Sequence, residues 1–127
     1  MRKQCLSLVL NLLICHLMLA LSGNAAGQSG EARLQVVTTL PDYATFAELI
    51  GGERVSVSHI VRGDQDAHFI RPKPSFVNMV RNADVLVETG LDLELWLSTV
   101  VDKSGNKRAR SGQVGYVSAS HGMHLLE

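Results

Sequence analysis

Cysteine is nearly missing from this sequence: there are two in 127 residues, Cys5 and Cys15, both close to the amino terminus. Downstream of them no disulfide and no thiolate metal site can form, so any metal chemistry falls to histidine and carboxylate. An excess of charge is missing too. Twelve Lys and Arg stand against twelve Asp and Glu, a formal net charge of +0, which leaves no electrostatic reason to expect nucleic acid as a partner. The catalytic signatures Gly-x-Ser-x-Gly, the Walker loop, Gly-x-Gly-x-x-Gly and His-Glu-x-x-His are all absent, so an enzyme is not expected. What remains, with 46% apolar and 19% charged residues, is globular, and 127 residues hold one core rather than two.

The composition is uneven along the chain. Arg2 and Lys3 precede a nearly unbroken apolar run from Cys5 to Leu21, and Ser22-Gly23-Asn24-Ala25-Ala26 follows. That is the layout of a secretory signal peptide over residues 1–26, with cleavage near Ala25 or Ala26; as a membrane anchor the run is short and interrupted by Asn11 and His16. Leu21-Ser22-Gly23-Asn24 has the form of a lipoprotein box with asparagine in place of the acylated cysteine, so no lipid anchor is expected there. Processing would remove both cysteines and two cations, leaving 12 − 2 = 10 basic against 12 acidic residues in an exported product.

Residues 27–33 read as a flexible approach to an α/β lobe over 34–127. Leu34 to Thr39 is a short β-branched strand, and Pro41 opens a helix with Tyr43, Phe46, Ala47 and Ile50 on one face, stopped by Gly51-Gly52. Arg54 to Val61 alternates as a second strand. After a loop from Arg62 to Lys73, Pro74 opens a helix burying Phe76, Val77, Val80 and Ala83. Val85-Leu86-Val87 is a fully apolar third strand, Asp92 to Asp102 a helix with Leu93, Trp96, Leu97 and Val100 on one face, and Val114 to Ser118 a fourth strand. The polar, basic stretch Lys103 to Gly112 is a solvated loop. This alternation predicts an open, mainly parallel sheet with helices on both faces.

Ligands of such sheets bind at the carboxyl ends of the strands, here the loops Leu40 to Asp42, Arg62 to Lys73, Thr89 to Asp92 and Ala119 to His121. The second loop carries His68 beside Asp64 and Asp66. An imidazole is a good zinc ligand and acceptable for manganese, and a neighbouring carboxylate can orient its second nitrogen. His121 and His124 read as incidental surface residues, His59 as packed or edge-exposed, and His16 lies in the leader.

The loop also carries a resemblance. Asp66, His68, Pro72, Pro74 and Ser75 resemble the first metal-ligand loop of the zinc and manganese solute-binding proteins of ABC transporters. The likeness extends to Val36-Val37-Thr38-Thr39-Leu40-Pro41, to Ile50-Gly51-Gly52-Glu53-Arg54-Val55, and to Ala83-Asp84-Val85 with Gly90-Leu91-Asp92-Leu93-Glu94 and Trp96. Ala67 stands where that family commonly has proline, and Ile70 and Arg71 replace aromatic and acidic residues. The resemblance implies a monomeric periplasmic protein that captures a divalent ion, zinc or manganese, and passes it to an inner-membrane permease. It also implies His68 as a metal ligand. Family members are longer and two-lobed, and take further ligands from segments that this sequence does not include, so the sequence resembles an amino-terminal part. The alternatives are an adhesin or interaction protein of the same fold with structural or no metal, and a metal-dependent hydrolase with an open coordination position.

Overall fold

The structure, a computed structural model, describes residues 32–124. They belong to the second of two units, Met1–Gly30 and Glu31–Glu127. The expected signal peptide and most of the approach segment lie outside the described residues. Among the described residues no helix is long and apolar enough to cross a membrane.

Four strands, β1 (Leu34–Thr38), β2 (Val55–His59), β3 (Val85–Glu88) and β4 (Tyr116–Ser118), alternate with three helices, α1 (Pro41–Gly51), α2 (Pro74–Arg81) and α3 (Leu97–Ser104). All pairings are parallel and the sheet order is β2-β1-β3-β4. Leu34 to Thr38 pair with Val55 to His59 on one side, and Val36 to Thr38 pair with Val85 to Val87 on the other. Of the two central strands, β1 buries residues on both faces, Val36 and Thr38 on one and Val37 on the other, whereas β3 buries Leu86 on the core face and leaves Val85 and Val87 half-buried on the other, short of the full two-sided burial expected of an apolar parallel strand.

The core lies on the Val37 and Leu86 face. There α2 contributes Val80, α3 contributes Leu97, Val100 and Val101, and the connecting loops contribute Ile60, Val61, Ala83, Trp96 and Ala109. Asn106 closes this layer by donating from Nδ2 to the carbonyls of Val80 and Ala83, both at 2.8 Å. Helix α1 packs against β1 and β2 outside this cluster. Successive strand residues face opposite ways, so α1 covers the Val36 side and helices flank both faces.

The helix extents show where local pattern and packing part. In α1 the buried residue is Ala44, whereas Phe46 is 58% and Ile50 82% exposed, against the expected apolar face. The small side chains decide this: a Cβ on Gly51 would collide with Val55, so the Ala44 and Gly51 side is the one that reaches the sheet closely. The third helix begins at Leu97 rather than Asp92. Leu91 and Asp92 sit at φ of 55° and 61°, left-handed backbone that cannot open a right-handed helix, and turns occupy the segment up to Trp96. The second and fourth strands are shorter than expected. His59 ends β2 exposed, while Ile60 and Val61 are buried just past it. Val114 is exposed before β4 starts.

Candidate metal centre

Between β1 and β3 the chain order reverses, because β1's successor β2 lies on its other side. Such a crevice at the carboxyl ends is the usual ligand position. Here the protein fills it with its own side chain. Glu94, only 4% exposed, accepts through Oε1 from the Thr39 hydroxyl at 2.6 Å and from the Thr89 amide at 3.1 Å. It ties the end of β1 to the end of β3. Its Oε2 has no hydrogen-bond partner among the described residues. The Tyr43 hydroxyl adds a bond to Thr89 Oγ1 at 3.2 Å, and Gly90, at φ 86°, turns the chain where a Cβ would strike Ser118 and Ser120.

The loop after β2 presents the candidate ligand one strand away. Residues Ala67–Phe69 make a single 3-10 turn whose preceding residue, Asp66, accepts from the His68 backbone amide at 2.9 Å. The same carboxylate oxygen lies 2.8 Å from His68 Nδ1. An ionised carboxylate only accepts, so Nδ1 carries the proton and Nε2 keeps its lone pair free. These bonds, the backbone amide first and the ring second, hold the Asp66 carboxyl below its ordinary pKa. The His68 side chain is 57% exposed, which leaves Nε2 open to an ion from solvent.

Asp64, the other carboxylate expected near His68, is engaged elsewhere. Arg62 grips it through Nε at 3.1 Å and Nη2 at 3.2 Å. Only Asp66 orients the imidazole. His121 follows β4 and His68 follows β2, the two outer strands, separated by three strand spacings or roughly 14 Å. His59, His121 and His124 are exposed. Among the described residues no three His, Cys, Asp or Glu side chains come together as a metal-holding group. The described part of the chain thus offers one oriented imidazole rather than a complete coordination sphere.

Two residues outside the expected site belong to its neighbourhood. Glu94 was legible only as part of a family-like run, and Trp96 only as part of the same run and as an apolar face position. Yet Trp96 Nε1 donates to the carbonyl of Ala67 at 2.7 Å, next to His68. A cleft of 510 Å³ between α3 and the β3–β4 side adjoins the switch point, sharing Gly90 and Glu94 with it and lined also by Glu88, Asp102, Arg110 and Tyr116; His68 is not on its wall. There Tyr116 donates its hydroxyl to Glu88. Burial raises the Glu88 pKa, and burial together with that bond pushes Tyr116 up to about 12.

Residues 36–126 match the family described as the zinc-uptake complex component A periplasmic, ZnuA. The manganese-binding lipoprotein MntA of Halalkalibacterium halodurans is 34% identical over 110 residues, which cover 84% of this chain and 35% of that protein. The manganese ABC transporter substrate-binding lipoprotein PsaA of Streptococcus pneumoniae is 30% identical over 113 residues, 86% of this chain and 35% of its own length. A crystal structure of ZnuA shares the fold with a TM-score of 0.62 at 24% identity, over 76% of this chain and 35% of that one. The chain therefore spans about a third of the length of these relatives. With its parallel α/β sheet and its match along nearly all the described residues, the chain belongs to the ZnuA family of metal ABC transporter substrate-binding proteins.

Proposed function

We propose that this chain is the amino-terminal lobe of a substrate-binding protein that captures a divalent ion, zinc or manganese, outside the cytoplasm and delivers it to an ABC permease. The observation that carries this reading is the Asp66-held imidazole of His68, with Nε2 free on the carboxyl rim of the sheet. Relatives named for manganese and a family described for zinc uptake support the cargo class. His68 supplies one ligand through Nε2, and the remaining ligands come from a further segment of a longer protein, for which the threefold greater length of the relatives leaves room. The role is capture and release, with no bond chemistry.

The proposed division is a signal peptide over 1–26, an approach over 27–33 and the lobe over 34–127. Several relatives are named lipoproteins, whereas Asn24 offers no thiol for acylation at the Leu21 to Asn24 stretch. The proposal is therefore a processed, unlipidated product. N-terminal sequencing should find Ala26 or Gly27 first and fatty-acid labelling should find nothing; a chain beginning at Met1, or a labelled one, overturns this part.

Native mass spectrometry of the full-length protein tests the main reading. One bound zinc or manganese per chain is expected. Metal-free protein that stays metal-free in micromolar zinc and manganese overturns it.

A further inference from the structure

The loop that carries His68 is attached to the rest of the lobe in an unusual way. Between Arg62 and Pro72 the hydrogen bonds are local: Arg62 to Asp64, the Arg62 amide to Gln65 Oε1, the Gln65 amide to the Arg62 carbonyl, and the Asp66 bonds to His68 and Phe69. They shape the loop internally and do not fix where it sits. Among the described residues one hydrogen bond joins this segment to another element, from Trp96 Nε1 to the Ala67 carbonyl. Ala67 immediately precedes the proposed ligand, and alanine does not lock its own φ as a proline would.

Trp96 is well placed to act as a fixed post. It is buried in the core, with its ring centroid 6.4 Å from that of Phe76. It is also the one tryptophan of the chain. Its backbone continues from a turn that is itself held at the switch point: Glu94 grips Thr39 and Thr89, the Leu97 amide donates to the Glu94 carbonyl at 2.8 Å, and the Leu93 amide donates to the Gly90 carbonyl at 3.3 Å. The turn from Gly90 to Trp96 thus clasps the loops that follow β1, β2 and β3. Apolar contact alone, from Ala67 and Ile70 against the core, would leave the loop free to slide, since such contact has no direction. A hydrogen bond does have direction.

We infer that Trp96 is a positioning residue for metal capture: its indole N–H, anchored through the Glu94 turn, sets where the loop presents His68 Nε2. The inference rests on the reading of His68 as a ligand and adds the element that places it. Asp66 sets which nitrogen faces the ion, and Trp96 sets where that nitrogen stands.

The test uses the full-length protein and two replacements at position 96. Trp96→Phe keeps a buried ring and loses the donor; site-specific incorporation of benzothienylalanine keeps the bicyclic shape and loses only the N–H. The second serves if the first fails to fold. In metal-free protein, amide exchange at His68 and Phe69 should quicken by about tenfold while β1 and β3 amides keep their rates. Zinc affinity by competition should weaken by about 3- to 10-fold, the usual net share of one hydrogen bond. Unchanged exchange at His68 and Phe69, or an equal rise in β1 and β3, would overturn the inference, because Trp96 would then hold nothing locally or only the whole fold. His68→Ala, measured in parallel, separates the two ideas. If it weakens zinc and the Trp96 variants do not, positioning alone is wrong. If it leaves zinc affinity unchanged, the ligand reading is wrong and positioning falls with it.

Discussion

One oxygen of Asp66 holds His68 twice, by its backbone amide at 2.9 Å and by its ring Nδ1 at 2.8 Å. Both side chains are more than half exposed, and an exposed pair of this kind contributes little to stability. Its value is in specification. Two bonds to one carboxylate fix the turn and the ring together, so the nitrogen left over for an ion is Nε2 and its direction follows from the backbone.

His68→Ala in the full-length protein should weaken zinc binding by about 10- to 1,000-fold, since a closed zinc site distributes roughly 10 to 16 kcal/mol over its ligands. Competition titration against a chromophoric chelator measures this. An unaltered constant removes His68 from the coordination sphere.

Asp66→Asn should cost less, about tenfold, because the amide oxygen can still accept from the backbone and from Nδ1 but, without the negative charge, draws the ring proton to Nδ1 more weakly. Nitrogen chemical shifts of the His68 ring check the cause. The wild-type ring should show the Nδ1–H tautomer and the variant a mixture; identical spectra would show that Asp66 does not set it.

The 127-residue chain by itself should bind zinc no more tightly than about millimolar to high micromolar, or roughly 4 to 6 kcal/mol. One oriented imidazole leaves most positions of the ion to water, and the described residues hold no three-residue metal group. Isothermal titration giving a nanomolar, one-to-one site would contradict this and place a complete site within these residues.

Tyr116 should ionise near pH 12, and the stability that goes with its neutral form should be lost at high pH. The direction follows from linkage: a folded-state pKa raised above the ordinary value near 10 means the folded chain holds the proton longer, so this contribution is full below about pH 10 and declines as pH rises toward 12. The raised Glu88 acts in the same sense at lower pH. Its contribution is present below the ordinary carboxylate range and is lost as pH climbs through its raised folded value. Ultraviolet phenolate titration with Tyr116→Phe as control reads the tyrosine; a midpoint near 10 lost in that variant would contradict the assignment.

Gly51→Ala should destabilise the lobe by about 1 kcal/mol. The new Cβ meets the Val55 side chain, an overpacking that costs roughly 1 to 3 kcal/mol, while alanine returns up to about 1 kcal/mol of helix propensity. Urea unfolding measures the difference, and a more stable variant would mean that α1 can lift from β2 without loss.

Much of this protein was legible in the sequence because it rests on local rules. Pro41 and Pro74 open helices where a missing amide costs nothing, apolar Val85-Leu86-Val87 is a central strand because parallel strands bury both faces, and the alternation of elements required a parallel sheet. His68 stood out as a loop imidazole with carboxylates beside it. Packing decided the rest, because it depends on which residues approach from elsewhere in the chain. Periodicity gave α1 an apolar stripe, but Gly51 and Ala44 determined which flank meets the sheet, leaving Phe46 and Ile50 outside. Spacing placed two carboxylates near His68, but the fork of Arg62 claimed Asp64 and left Asp66 as the partner. No sequence rule pairs Glu94 with Thr39, 55 residues away, or Trp96 with Ala67, 29 residues away. Those contacts exist because the sheet brings the ends of β1, β2 and β3 to one rim, and a hydrogen bond across such a distance in sequence is specified only once the fold has closed it.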